Sequence, residues 1–378
     1  MRRKALRILA AVALAVLALL LLVAITPQGR AAVKTVALVA EVVPGMPQPF
    51  GWLMPDADRE RITYPSPFGE AEADIYRTGG DGGKPALVLF LGVNPAGRDD
   101  ERVVNIASAL AESGYVVLVP WSRNMVSGRV GPDDVELLVS AFQHLQTLDY
   151  VDPDRIGGGG FCVGSSLLTV AASDPRIRDD VRFINFFSGF YDGRDYLAQF
   201  AARQAFENGE RRDWDPDPLT TRVFERLLVE NLPNTSERET LNGHFMEDEP
   251  LTDSQVTGFS SEAQAVYGLL TGATLEEARG LIEQLPQELR DAMDALSPSQ
   301  HLDGLRADLW IMHDQDDELA PVEESRRLYE ATRGRPNTTY TEFSFFQHVD
   351  PSTDTDLLSL VTESWKLLQH LYRVVRLT

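Results

Sequence analysis

The stretch from Arg155 to Leu168, RIGGGGFCVGSSLL, constrains this chain more than any other part of it. A short glycine-rich strand runs into a turn and then an apolar helix, and within it Gly160, Cys162 and Gly164 spell G-x-C-x-G. A strand-to-helix turn this tight holds its central residue at positive φ, and the two flanking positions must lack side chains so that strand and helix can approach. Such a turn lifts the Cys162 sulfur out of the packed interior. The helix behind it aims its first N–H groups and its dipole at the same point, which lowers a thiol pKa and offers a donor to a developing oxyanion. Glycine-rich turns that open a helix also cradle phosphates, and a buried cysteine is often only a small hydrophobe, so the stretch alone leaves those readings open.

Around this turn the pattern alternates strand and helix. Arg61–Tyr64 and Ala73–Arg77 read as a hairpin of edge strands, with Gly79–Gly83 as a loop. Ala86–Leu91, Tyr115–Val119 and Val181–Phe187 are continuous apolar runs of the kind buried on both faces of a parallel sheet. Between them lie the amphipathic segment Asp100–Ser113, which stops at Gly114, and a helix over Pro132–Leu148. The spacing predicts an α/β fold with a doubly wound, mostly parallel sheet, whose ligands bind beyond the carboxyl ends of the strands. From Arg194 to Pro298 the strand pattern stops and helices are predicted over Tyr196–Asn208, Leu219–Leu232, Ser261–Leu270 and Thr274–Leu285, with Asn234–Gly258 as a long loop. The Thr274 helix opens with a capping box through Glu277. The sheet resumes at Ala307–Met312, followed by a helix over Val322–Thr332, a last strand over Thr339–Phe345 and a helix over Asp356–Val374.

Charge and cysteine content narrow the function. The formal charge of −22 would repel phosphate backbones and anionic lipid, which excludes nucleic acid as a partner. A single cysteine among 378 residues rules out an intramolecular disulfide, and no spacing of ligands suggests zinc or an iron–sulfur cluster. The N-terminus carries Met1-Arg2-Arg3-Lys4 and then an uncharged apolar run from Ile8 to Ile25. That predicts a transmembrane signal anchor, or a cleaved signal peptide, over residues 1–27. The basic end would stay in the cytoplasm and the rest outside it, anchored or secreted. Residues 28–56, with Pro44, Pro47, Pro49 and Pro55, read as a tether.

The G-x-C-x-G turn on its strand and helix resembles the nucleophile elbow of the dienelactone hydrolase family, α/β-hydrolases that use a Cys-His-Asp triad on esters and lactones. The resemblance covers roughly residues 60–190 and 300–375, and it implies an α/β-hydrolase core over 57–192 and 300–378 with a helical cap inserted at 193–299. It also implies roles for particular residues. In the family the loop after the first long buried strand supplies a second oxyanion donor, often after a His-Gly pair. Here Leu91-Gly92-Val93-Asn94 keeps the glycine without the histidine, so the backbone N–H groups of Val93 and Val163 are the implied donors, with the Asn94 side chain as an alternative. The family places its acid four residues beyond a histidine that ends a strand, with a proline four further on. Counting from His313 gives Asp317 and Pro321, with Asp316 and then Asp192 as fallback acids. Of six histidines, His348 follows the final strand, where the family's base belongs. The implied enzyme cleaves ester, lactone or thioester bonds through Cys162, His348 and Asp317, without metal or cofactor. The alternatives are a catalytically silent fold used for binding at the cell surface and an acyltransferase with the same triad.

Overall fold

The computed structural model describes residues 23, 25–42, 54–80, 82–344, 346–347, 350–351 and 357–377. Its strands, in chain order, are β1 (Asp58–Ser66), β2 (Gly69–Arg77), β3 (Lys84–Phe90), β4 (Val116–Pro120), β5 (Val151–Phe161), β6 (Val181–Phe187), the hairpin β7 (Gln204–Glu207) and β8 (Glu210–Asp213), then β9 (Asp308–Asp314), β10 (Thr338–Phe343) and the short pair β11 (Phe346–Gln347) and β12 (Asp350–Pro351). Eight of them form one sheet in the order β1-β2-β4-β3-β5-β6-β9-β10. Every pairing from β4 to β10 is parallel, while β2 runs against both β1 and β4. The fold is α/β with a mostly parallel central sheet. Because β2 pairs with β4, the predicted hairpin is a sheet edge through β1 only.

Alternation along the strands explains why the sheet is covered on both faces. Leu87, Leu89, Val117, Val119 and Trp310 pack to one side with Val103, Ala107 and Leu110 of the helix Glu101–Glu112 and with Val374 of the helix Leu357–Val375. Val88, Phe90, Leu118, Ile184 and Ile311 pack to the other with Leu138 and Phe142 of the helix Pro132–Gln146, Leu167 and Leu168 of the helix Val163–Ala171, and Leu328 of the helix Val322–Thr332. Neighbouring residues on one strand thus serve opposite cores, and this gives the uninterrupted apolar runs.

Several expectations need correction. Residues 28–56 are not a tether throughout: Pro27–Val42 is a helix, and its Ala31 and Leu38 join the core beside Leu110 and Val374. Ala31, Thr35, Leu38, Val39 and Ala40 are its buried positions, the first four a stripe at helical spacing that the interrupting Glu41 conceals. Most of the apolar run Ile8–Ile25 lies outside the described residues, among which no helix is long and apolar enough to cross a membrane.

Between β6 and β9 the chain leaves the sheet for a mostly helical insertion with its own core, which includes Leu197, Phe200, Phe224, Leu228, Val266, Leu269 and Ile282. Its first helix, Gly193–Ala202, stops early because Arg203 turns into the left-handed region at φ 52° and the hairpin β7–β8 follows. The segment read as a loop contains the helices Thr235–Glu247 and Asp253–Thr257, and a further helix spans Gln287–Ala295. Thr235–Glu247 escapes a periodicity argument because it buries only Leu241 and Gly243. Its start is fixed instead by the Asn234 side chain, which accepts from the amides of Ser236 and Glu237.

Candidate active site

Cys162 sits where β5 ends and the helix Val163–Ala171 begins, at φ 53° and ψ −141°. A non-glycine residue held there stores backbone strain, and the surrounding packing shows what enforces it. A β-carbon on Gly160 would lie 2.4 Å from Ser165 Cα, and one on Gly164 would lie 2.5 Å from the Phe90 carbonyl oxygen and 2.6 Å from the Gly92 nitrogen. The first contact closes strand onto helix, and the second closes the helix onto the loop after β3. The Cys162 amide donates to the Phe187 carbonyl at 2.9 Å, pinning the turn to β6.

The half-buried Cys162 lines a cavity of about 240 Å³ between the sheet's carboxyl end and the insertion. Val93 and Val163 line the same cavity. Val163 is the first residue of its helix, whose amide has no carbonyl to bond within the helix. Gly92, at φ 76°, brings the Val93 loop against Val163 and Gly164.

That loop is braced from outside the cavity. Fully buried Asp74 on β2 accepts from Arg59 Nη2 at 2.7 Å and Trp121 Nε1 at 2.9 Å, and Arg59 Nη2 also donates to the Arg98 carbonyl at 2.9 Å. Asn94 serves as a loop cap, its Oδ1 accepting from the Ala96 amide at 3.1 Å, and it is not among the cavity residues.

The proposed acids are separated by burial. Asp317 is 1% exposed, and its Oδ1 accepts from the amides of Leu319 and Ala320 at 2.8 and 3.1 Å, while Asp316 is exposed. Asp192 is occupied as a helix cap, accepting from the amides of Arg194 and Asp195 and from Ser299 Oγ. His313 braces the Asp317 loop from beneath, with Nδ1 at 2.6 Å from Ser325 Oγ and Nε2 at 3.0 Å from the Ala320 carbonyl.

His348 lies outside the described residues. None of the five described histidines lines the cavity. His370 is fully buried between Thr341 Oγ1 and Asn185 Oδ1, at 2.9 and 2.8 Å, and burial, helped by Arg373, holds its pKa down at about 3. It is therefore a neutral structural imidazole.

The residues that the sequence reading missed are those by which the insertion grips the Asp317 loop. Trp214 Nε1 donates to the Asp317 carbonyl at 3.0 Å and the Asp217 amide to the Glu318 carbonyl at 2.8 Å. Thr220 Oγ1 donates to the Leu319 carbonyl at 2.9 Å, and the Tyr196 hydroxyl donates to the same oxygen. Tyr196 lines the cavity, and burial, with the charges of Cys162 and Asp317 nearby, raises its pKa well above the usual range. A second anchor is buried Glu324, which accepts from the Tyr191 and Asp192 amides and from Gln199 Nε2 at 2.7, 3.0 and 2.6 Å. No periodicity or motif marks these contacts, because each joins segments about a hundred residues apart in sequence.

No family model matches the sequence, and no curated protein is found to be similar to it. Among solved structures, the chain is similar to an esterase from the hyperthermophilic archaeon Pyrobaculum calidifontis at 16% identity, covering 92% of each chain with a TM-score of 0.47. It is similar to the acylaminoacyl peptidase of Pyrococcus horikoshii at 13% identity over 85% of this chain and 41% of that one, TM-score 0.48. A puromycin-hydrolysing peptidase of Mycobacterium tuberculosis is 19% identical over 86% of this chain and 41% of its own, TM-score 0.47. At such identities and scores these likenesses do not fix the chemistry of this chain.

Proposed function

We propose that this chain is a hydrolase of the α/β-hydrolase type, similar to dienelactone hydrolases, that cleaves ester, lactone or thioester bonds through a thioester on Cys162. The observation that carries the reading is the strained cysteine at φ 53°, seated at a helix N-terminus and lining a cavity together with Val93 and Val163. A thiol held off the packed interior, beside backbone donors and under the positive end of a helix, suits attack on a carbonyl.

In the reaction His348, oriented by Asp317, takes the Cys162 proton. The thiolate forms a bond to the substrate carbonyl carbon, and the carbonyl π pair moves to oxygen, where the Val93 and Val163 amides receive it. Collapse breaks the bond to the leaving oxygen or sulfur, which His348 protonates. Water then attacks the thioester after giving its proton to His348, and the thiolate leaves to restore the enzyme. Because thiolate is itself a good leaving group, esters, lactones and thioesters suit this site better than amides. The basic Met1–Lys4 end and the apolar run after it would hold the site outside the cytoplasm, on an anchor or after signal cleavage.

Iodoacetamide tests the reading. Cys162 should take one label per chain, with loss of ester cleavage in step with labelling. One label per chain with no ester cleavage to lose would instead identify a silent fold.

A further inference from the structure

The cavity beside Cys162 is lined mainly by apolar side chains, and the geometry points to an uncharged acyl chain of about eight to ten carbons as the group it holds; this rests on the thioester reading above and names its substrate class. Among the described residues, no charged side chain lines the cavity. Its walls are built by Phe190 from the core and by Val223, Leu227, Leu289, Met293 and Leu296 from the insertion. The polar groups that do reach it are already engaged. Tyr196 and Thr220 both donate their hydroxyl protons to the Leu319 carbonyl, and Asn231 Nδ2 donates to the Leu227 carbonyl at 2.8 Å. A carboxylate or ammonium carried into this space would lose its hydration and meet no opposite charge among the described lining residues. An alkyl chain loses nothing and gains from leaving water.

Size sets the length. A cavity of roughly 150 Å³ holds a six-carbon ring, so about 240 Å³ accommodates about eight to ten carbons. Chemistry selects the acyl side of the ester. The acyl group remains in the site through both half-reactions, bonded to sulfur between them, whereas the leaving group must depart before water enters. A space roofed by a cap that is pinned to the Asp317 loop suits the group that stays.

The test uses the full chain with p-nitrophenyl esters from acetate to palmitate, so that only the acyl group varies. kcat/KM should rise about three- to fourfold per methylene and level off or fall beyond eight to ten carbons. An ω-carboxylated acyl group of optimal length should react at least a hundredfold more slowly than its uncharged counterpart. Val223→Trp, which fills the cavity from the insertion side, should lower the ratio of octanoate to acetate cleavage. Binding gives a reading that does not depend on the folding of that variant: 2-decanone should bind the Cys162→Ala chain at least a hundredfold more tightly than acetone does. A flat dependence on acyl length, a preference that follows alcohol length in alkyl acetates, or equal binding of the two ketones would each overturn the inference. Chain-length-dependent ketone binding without any ester cleavage would overturn the thioester reading and leave the ligand class standing.

Discussion

Cys162→Ala is expected to lower ester cleavage by at least about 10⁴-fold while the protein stays folded. Loss of a nucleophile removes the covalent path altogether, and what remains is the contribution of backbone donors and binding, which these enzymes retain when the nucleophile is removed. Alanine inherits the same backbone at φ 53° and leaves the Val93 and Val163 amides in place, so the thermal midpoint should move by only a few degrees. Ser165 and Ser166 offer no substitute. Ser165 Oγ donates to the Cys162 and Phe187 carbonyls at 2.8 and 2.7 Å, and Ser166 Oγ donates to the Phe190 carbonyl at 2.7 Å. Ester cleavage by steady-state assay, beside circular dichroism of both proteins, checks the expectation. Cleavage within tenfold of the parent would remove the thiol from the mechanism.

The second large effect is on folding. Gly160→Ala and Gly164→Ala are each expected to cost more than about 3 kcal/mol, because the new carbon meets backbone rather than a movable side chain. At Gly160 the nearest atoms are Ser165 Cα and N at 2.4 and 2.7 Å, and at Gly164 they are the Phe90 oxygen and the Gly92 nitrogen at 2.5 and 2.6 Å. Relief would require the helix to lift off β5 or the Val93 loop to swing away. Gly159→Ala provides the control within the same run, since its added carbon comes no nearer than 3.5 Å to Leu87 Cδ2. Urea denaturation should place Gly159→Ala within about 1 kcal/mol of the parent and the other two far below it. Equal midpoints for all three would mean that the turn is not closed in the way described.

The same glycines show how much could be read in advance. G-x-C-x-G is a local pattern whose physical demand, two missing side chains around one strained residue, is met within five positions, so it was legible without coordinates. The apolar strands were legible for a related reason, since Leu87 and Val88 face different cores and both must be apolar. Boundaries failed where tertiary contacts decide. The helix Pro27–Val42 is held by packing against a helix more than 300 residues away in sequence, and Thr235–Glu247 is set by its cap more than by an apolar face. The grip of Trp214, Thr220 and Tyr196 on the Asp317 loop lay beyond any sequence pattern, because it joins a hydroxyl or indole to a backbone carbonyl, and every residue has one of those. As a result the insertion could be placed from sequence, while its part in building the cavity wall could not.

Everything in the functional account depends on an acyl group becoming bonded to one sulfur. Full-length protein mixed with p-nitrophenyl butyrate, quenched in acid during the first turnover, digested and read by mass spectrometry, should carry a butyryl mass on the peptide containing Cys162, and neutral hydroxylamine should remove it. Butyryl found on any other side chain, or steady turnover with no acylated peptide at all, would contradict the account.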